Sequence, residues 1–196
     1  ILIYVDEPTH ELSDEKISLL IKHSIQQLSH TAVKIFENKN LFYFLLAYWF
    51  YIDGVSTVMA MAVDFGIAIK LDSGSLIKAL LLVQFVGFPS AYLAGKLAVK
   101  FSSREVILFS LFVYILAVIG ASQMSTEFHF YIMACCIGMA QGSIQALSRS
   151  LFAQLIPADN AGEYFGFFNL LGKFASVLGP ILISVSTIVF KNAQFA

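Results

Sequence analysis

Two charged side chains lie deep inside apolar runs of this 196-residue chain, where they could do chemistry. Asp53 interrupts the run 41–63, and Lys173 interrupts the run 164–190. At about 1.5 Å of helical rise per residue, each would lie near the middle of a ~30 Å hydrocarbon core. Ionisable groups at that depth are costly, and they mark ion or substrate pathways. Both spans should start from the same side, so we expect the two charges to pair or to share one hydrated site.

A proton or cation carried by Asp53 is the functional interpretation of this pair. Lys173 would then bias the protonation of Asp53 or meet an anionic group of a solute. A structural ion pair that holds two helices together is the alternative. The chain has no Walker loop and no GxSxG, HExxH or CxxC motif. The sequence therefore predicts no enzyme, no cofactor and no metal site.

Three amide side chains complete the candidate residues for substrate or coupling ion: Gln141, Gln145 and Asn169. Gln141, Gln145 and Arg149 are spaced four residues apart, which places them on one face of an apolar helix. A polar stripe of this kind should face protein or water rather than lipid. Interhelical hydrogen bonds worth roughly 0.6 kcal/mol each would also explain the amides, without any ligand.

A stripe of small residues runs beside the polar one. Its members are Gly138, Gly142, Ala146 and Ser150. Small side chains on one helical face let another backbone approach closely, so we predict helix packing at the first three. Pro157 should end this helix. Asn160 and Glu163 have the spacing of a capping box, which would start the next helix.

The composition indicates an all-α integral membrane protein. Hydrophobic residues make up 58% of the chain and charged residues 13%, with a mean hydropathy of +0.79. A soluble domain averages about 25% charged residues. Short connections between long apolar runs predict an antiparallel transmembrane bundle with the lipid bilayer as its partner. The net charge of −1 argues against a nucleic-acid partner.

The chain divides into three segments. Residues 1–8 should be the end of a preceding transmembrane helix, which predicts that the sequence is a piece of a longer protein. Residues 9–40 should be a cytoplasmic linker with an amphipathic helix that starts at Ser13 and lies on the membrane, on a partner or on its own bundle. Residues 41–190 should form a transmembrane bundle. Its five helices are expected at about 41–63, 76–99, 106–126, 128–156 and 163–190.

Lysines and arginines concentrate on one side of this bundle. Segments 9–40, 96–105 and 149–163 share that side if the five spans alternate, and it should be cytoplasmic. The alternating spans predict a multi-pass protein, and we expect it in the bacterial inner membrane.

Four strings of the sequence resemble the vacuole-effluxer (UMF) branch of the major facilitator superfamily. They are YIDGVST (51–57), LLLVQFVGFP (80–89), QALSRSLFAQLIP (145–157) and EYFGFFNLLGKFASVLGP (163–180). The resemblance covers about 41–180. It implies a fold of twelve helices in two halves, of which this chain would carry helices 7 to 11 in the C-terminal half. The missing N-terminal half would be its partner.

The resemblance extends to a cytoplasmic loop motif of the superfamily, G-x-L-A-D-R/K-x-G-R/K-R/K. The residues that fit it are Gly95, Leu97, Ala98, Lys100 and Arg104. Val99 stands where the family has Asp, and Ser102 stands where Gly is usual. The resemblance implies close helix packing at Gly95.

The function implied by the resemblance is secondary transport by alternating access, with a small solute bound between the halves and coupled to a proton or cation. Fungal relatives export amino acids from the vacuole, so amino acids or related metabolites are expected. A half-molecule cannot enclose such a site, and we expect no transport by this piece alone. The alternative is a non-transporting membrane scaffold or assembly module that uses Gly138 and Gly142 as its contact face.

Overall fold

The computed structural model describes residues 14–121 and 126–193, with side chains over 26–121 and 126–186. The predictions for residues 1–8 and for Ser13 lie outside the described residues. The helices are α1 (Asp14–Glu37), α2 (Lys39–Ala68), α3 (Ser73–Phe101), α4 (Ser103–Ala121), α5 (Glu127–Leu155) and α6 (Ala161–Ala193), with a 3-10 turn at Ala158–Asn160. Within the described residues, five of them, α2 to α6, are long and apolar enough to cross a membrane. The predicted all-α membrane bundle is confirmed.

All five spans differ in their bounds from the sequence expectation, three of them by three residues or fewer at each end and α2 and α4 by more. Helix α2 extends beyond 41–63 at both ends, and the side chain of Asn38 caps its start by accepting from the backbone N–H of Leu41 at 3.3 Å. Helix α4 begins earlier than residue 106 and ends at Ala121. The early start follows from Ser102, whose φ of 95° reverses the chain within one residue. The polar Ser103, Arg104 and Glu105 therefore form the first turn of α4.

Helix α1 packs on its own bundle. Thr31 and Ile35 are buried, and α1 contacts both α2 and α6. The Thr31 hydroxyl donates to Glu163 Oε2 at 2.9 Å, which joins α1 to the start of α6. Asn160 immediately precedes α6 as predicted, but no capping-box hydrogen bond forms there, since the Glu163 carboxylate is turned to Thr31 instead. That part of the prediction is wrong.

The end of α5 is set by proline. Helix α5 ends at Leu155, and Ile156 has an extended backbone with ψ of 151°. The residue before a proline is driven out of the helical region by its ring, so Pro157 ends α5 as predicted.

Helix α5 lies at the centre of the bundle between α3 and α4. A Cβ on Gly142 would lie 2.2 Å from the carbonyl oxygen of Gly87, and one on Gly138 would lie 2.7 Å from that of Val83. The backbones of α3 and α5 therefore meet where the small-residue stripe passes. Only glycine fits at these two positions without moving a helix.

The ends of the helices fall on two opposite faces. Ser75, in the first turn of α3, donates to Glu127 Oε1 at 2.5 Å, and Glu127 is the first residue of α5. The hydrogen bond from Thr31 to Glu163 marks the other face, where α5 ends and α6 begins. Neighbouring spans are therefore antiparallel.

Candidate functional site

A cavity of about 500 Å³ lies between α2, α5 and α6, three helices that are long and apolar enough to cross a membrane. We call it the central cavity. Its lining residues are Tyr48, Ile52, Ser56, Gln145, Arg149, Phe168, Asn169, Gly172, Lys173 and Ser176. Most of these side chains are polar, although the helices that carry them are apolar enough to span a membrane. Polar side chains at such depth need protein, water or a ligand beside them.

An aromatic stack forms one wall of the central cavity. The rings of Tyr48 and Phe168 lie with their centroids 4.1 Å apart and their planes at 24°. Gly172 makes room for this stack, because a Cβ there would lie 2.9 Å from the hydroxyl oxygen of Tyr48. One turn away from this wall, the hydroxyls of Tyr51 and Ser148 share a 2.6 Å hydrogen bond between α2 and α5. The wall is thus built from α2 and α6 and is braced against α5.

A second cavity of about 350 Å³ lies between α3 and α5, and we call it the side cavity. Gln84 and Gln141 line it, together with Gln145 and Arg149, which also line the central cavity. The predicted polar stripe of α5 therefore runs along both cavities. The side-chain oxygen of Gln141 is buried and has no hydrogen-bond partner among the described residues.

The amide side chains do not join helices to one another. Gln141, Gln145 and Asn169 make no side-chain hydrogen bond within residues 26–121 and 126–186. The interhelical bonds considered as an alternative to ligand contact are thus not seen.

Asp53 is held by the backbone of α6. Its Oδ1 accepts from the N–H of Gly179 at 2.9 Å, one residue before Pro180. Thr57, one turn further along α2, donates its hydroxyl to the backbone oxygen of Asp53 at 2.7 Å. A Cβ on Gly179 would lie 1.5 Å from the Thr57 hydroxyl oxygen, so glycine is required here. Asp53 therefore fastens α2 to α6 beside a proline.

Lys173 lies apart from Asp53. It lines the central cavity, whereas Asp53 does not, and it forms no ion pair within the described part of the chain. Gly179, the partner of Asp53, lies six residues beyond Lys173, or about 9 Å along the helix and on a different face. The direct pairing expected from the sequence is not seen, because a backbone N–H of α6 meets the carboxylate instead.

Sequence reasoning missed Arg149 as a cavity residue. Its spacing after Gln145 placed it on the polar stripe, and that spacing was the signal that could have found it. Its charge was assigned to the cytoplasmic turn instead. Ser56 and Ser176 gave no signal, since serine in a membrane helix commonly bonds its own backbone, as Ser176 does to the oxygen of Lys173 at 2.8 Å.

The cytoplasmic loop motif lies at the exposed end of α3 and the start of α4. Gly95, Leu97, Lys100 and Arg104 are not buried, and Ala98 is half-buried. A Cβ on Gly95 would meet nothing within 4 Å, so the close packing expected there is absent among the described helices. The neighbouring residue, Ala94, takes the buried position against α4 and α5 instead. Gly95 is rotated about 100° away from that contact.

Residues 1–195 match the family described as "Vacuole effluxer Atg22 like". The chain is 41% identical over 167 residues to the "Uncharacterized MFS-type transporter YxiO" of Bacillus subtilis, a match that covers 85% of this chain and 39% of the relative. It is 26% identical over 188 residues to "Autophagy-related protein 22" of Saccharomyces cerevisiae (strain ATCC 204508 / S288c), covering 86% of this chain and 36% of that protein.

Each match therefore covers less than two fifths of the length of the relative. No solved structure matches it.

Proposed function

Because this chain belongs to the Atg22-like vacuole effluxer family, we propose that it forms the C-terminal half of a secondary transporter of the major facilitator type. In this proposal, the parent protein moves a small solute across a membrane by alternating access. The solute is an amino acid or a related metabolite, the class that the resemblance to vacuole effluxers implies. The family description itself names an effluxer and no solute.

The central cavity is the observation that carries this proposal. A volume of about 500 Å³ is within the range of small-molecule sites, and it lies between three membrane-spanning helices. Two cations and two amides line it, and none of the four is bonded to another side chain among the described residues. A purely structural bundle has no reason to keep unpaired polar groups at this depth, whereas a solute site needs them.

The partner that closes the cavity is the other helical half of the parent protein. The central cavity is flanked by exposed polar side chains of α5 and α6, such as Gln145, Asn169 and Lys173. Lipid cannot solvate these groups, so this face belongs against protein or water. The relatives are long enough to supply a second half, since this chain covers only 39% and 36% of two of them.

Asp53 is the residue that we assign to ion coupling. A hydrogen bond to an ionised acceptor is roughly twice as strong as a neutral one, so protonation or cation binding at Asp53 would loosen its hold on Gly179. Pro180 has no N–H, so the turn of α6 beside this contact lacks one helical hydrogen bond. Ion occupancy at α2 would in this way change the freedom of α6, which carries Lys173 into the cavity.

The scaffold alternative uses Gly138 and Gly142 as a face for another protein. Both glycines are already packed against the backbone of α3 in the same chain. The feature that suggested a scaffold is therefore occupied within the bundle, and transport is the better-supported function.

A flux assay on the full-length parent protein tests the proposal. The protein is reconstituted in liposomes, and uptake of a panel of amino acids and related metabolites is followed under proton and sodium gradients. We expect flux of at least one panel member that empty liposomes lack. A scaffold gives none under either gradient.

The Asp53→Asn variant tests the coupling role in the same liposomes. Asparagine keeps a side-chain oxygen that can accept from Gly179, so folding should persist. Gradient-driven flux should be lost, while exchange of solute across the membrane continues. Gradient-driven flux equal to the wild type would remove Asp53 from the coupling mechanism.

For location, we propose a bacterial inner membrane with the end of α3 and the start of α6 in the cytoplasm. Cysteine substitutions at Asp72 and Ser102 test this topology, because the two residues lie at opposite ends of α3. A membrane-impermeant maleimide should label only the first in sealed cells, and both after permeabilisation. Equal labelling before permeabilisation would contradict the assigned topology.

A further inference from the structure

The charges that the described helices contribute to the central cavity are of one sign. Arg149 from α5 and Lys173 from α6 both line it, and neither makes a hydrogen bond or ion pair with another described side chain. None of its lining residues is acidic, and none of those lining the side cavity is either. Asp53 follows the lining residue Ile52 in α2, but its carboxylate accepts from the N–H of Gly179 and does not line the cavity.

We propose that the transported solute carries a net negative charge, and that Arg149 and Lys173 hold its anionic group. This inference rests on the transport function proposed above and narrows its substrate class. Two cations without a partner among the described residues are costly within membrane spans, and an anionic solute would offset that cost each time it binds. A zwitterion or a neutral solute would leave the positive charge of the cavity uncompensated.

The two cations have complementary chemistry and lie at different depths. The guanidinium of Arg149 can donate two parallel hydrogen bonds to a carboxylate or phosphate, and the ammonium of Lys173 acts as a point charge. Arg149 lies six residues before the end of α5, and Lys173 lies twelve residues after the start of α6. These offsets correspond to about 9 Å and about 18 Å from the same face of the bundle. An anionic group therefore meets a cation at both levels of the cavity.

The remaining lining groups fit the rest of such a solute. The amides of Gln145 and Asn169 offer both donors and acceptors, and the stacked rings of Tyr48 and Phe168 offer an apolar wall. A compact solute with an anionic end and a short carbon skeleton satisfies both parts of the lining. Carboxylate and phosphate share this chemistry, and the choice between them is left to the probes below.

The test compares solutes that differ in charge but little in size. Full-length parent protein in phosphatidylcholine liposomes is given three pairs: L-glutamate and L-glutamine, L-aspartate and L-asparagine, and glycerol 3-phosphate and glycerol. We expect faster uptake of the charged member in at least one pair, with the phosphate pair separating the two anion types. Repeating the assay with phosphatidylglycerol in the bilayer shows whether a lipid headgroup competes for the same cations.

Variants then assign the preference to the two cations. Lys173→Met and Arg149→Met should each slow anion uptake about tenfold or more, the effect of losing one hydrogen bond to a charged group. Lys173→Arg should retain the preference because it keeps the charge. Lys39→Met is the matched control, since Lys39 is exposed at the start of α2 and lines neither cavity. It should leave uptake unchanged.

Three results would overturn the inference. Faster uptake of the neutral members refutes it while the transport function stands, and so does anion uptake that survives both methionine substitutions. Loss of the anion preference only when phosphatidylglycerol is present would assign the cations to a lipid headgroup. No flux of any probe or metabolite would refute the transport function itself, and the inference would fall with it.

Discussion

The contact between α3 and α5 and the contact between α2 and α6 both depend on glycine, but the glycines meet different neighbours. Gly142 faces the carbonyl oxygen, carbonyl carbon and Cα of Gly87, all of them backbone atoms. Gly179 faces the hydroxyl of Thr57 and the carboxylate of Asp53, which are side-chain atoms. Gly172 likewise faces the side chain of Tyr48. One contact is backbone on backbone, and the other is backbone on movable side chains.

This difference indicates how the two parts of the bundle can behave. Two backbones in contact can separate only if a whole helix moves, so α3 and α5 form a fixed pair. Side chains can change rotamer, and the hydrogen bond from Gly179 to Asp53 can be made or broken. The contact of α2 with α6 is therefore the part suited to conformational change, and it is also the part that borders the central cavity.

The largest expected effect is at the contact of α3 with α5, which we call the fixed contact. Gly142→Leu places a side chain where even a Cβ lies 2.2 Å from the oxygen of Gly87. Overpacking typically costs ~1–3 kcal/mol, and here the neighbour cannot rotate away, so we expect the upper end of that range or more. The measurement is the yield of monodisperse full-length protein and its melting temperature, both of which should fall sharply.

The matched control is Gly120→Leu on α4. A Cβ on Gly120 meets nothing within 4 Å, so folding should persist, and leucine also has a higher helix propensity than glycine. If Gly142→Leu folds as well as the control but alters solute selectivity, Gly142 lines a ligand path rather than a packing contact.

The next effect is at the contact of α2 with α6, which we call the adjustable contact. Here a second substitution should restore stability. Gly179→Ala would place its Cβ 1.5 Å from the hydroxyl oxygen of Thr57 and 2.9 Å from the Thr57 Cβ. Thr57→Ala removes the nearer atom, so the double variant should recover much of the lost melting temperature. The interaction energy between such neighbours is typically 0.5–3 kcal/mol.

Gly142→Ala offers the contrast, because its neighbour Gly87 has no side chain to shorten. No substitution at Gly87 can relieve that clash. An additive loss in the Gly179→Ala/Thr57→Ala pair would show that the contact of α2 with α6 is as rigid as the contact of α3 with α5.

The sequence predicted the fixed contact better than the adjustable one. Small residues at four-residue spacing have one common explanation in membrane helices, so the spacing of Gly138 and Gly142 alone indicated close packing. Spacing along one helix could not tell which neighbour they meet, because that depends on how α3 crosses α5. The five spans followed from length and hydropathy in the same local way.

Asp53 and Lys173 show why the site was harder to predict. Their depth followed from counting residues, but the direction of each side chain depends on helix rotation, which sequence position does not give. The carboxylate of Asp53 accepts from a backbone N–H. Every residue except proline has such a donor, so residue types alone do not predict this contact. The sequence placed Arg149 on the polar stripe but not in a cavity, since a cation near a helix end fits both a loop and a cavity.

Lowering the pH should have a smaller effect on stability, through Asp72 in the turn between α2 and α3. The Ser75 hydroxyl oxygen lies 2.6 Å from Asp72 Oδ1 and 2.5 Å from Glu127 Oε1, so its one proton is shared between the two carboxylates. Together with the N–H groups of Ser75 and Gly74, this hydroxyl lowers the pKa of Asp72. A lowered pKa in the folded state stabilises the fold above the ordinary aspartate range, near 3.9, and that contribution is lost as the pH falls through the folded-state pKa.

Asp72→Asn keeps a side-chain oxygen that can cap α3, but it does not titrate. Comparing this variant with the wild type therefore isolates the contribution of the Asp72 pKa to acid sensitivity. The melting temperature of the variant should fall less than that of the wild type between pH 5 and pH 3. Parallel curves for the two proteins would mean that Asp72 contributes nothing to acid sensitivity.

The smallest expected effect is the coupling between Asp53 and Lys173, and it decides whether the adjustable contact and the cavity are separate units. Asp53 bonds to Gly179, and Lys173 lines the central cavity without an ionic partner in the described part of the chain. Residues without a shared partner usually have additive effects, within about 0.3–0.5 kcal/mol.

Melting temperatures of Asp53→Asn, Lys173→Met and the double variant of the full-length protein give the coupling. Additive losses would keep the two charges apart, with Asp53 acting on α6 and Lys173 acting on the solute. If both single variants fail to fold and the double variant folds and transports, the charges form a structural ion pair and the roles assigned to them here are wrong.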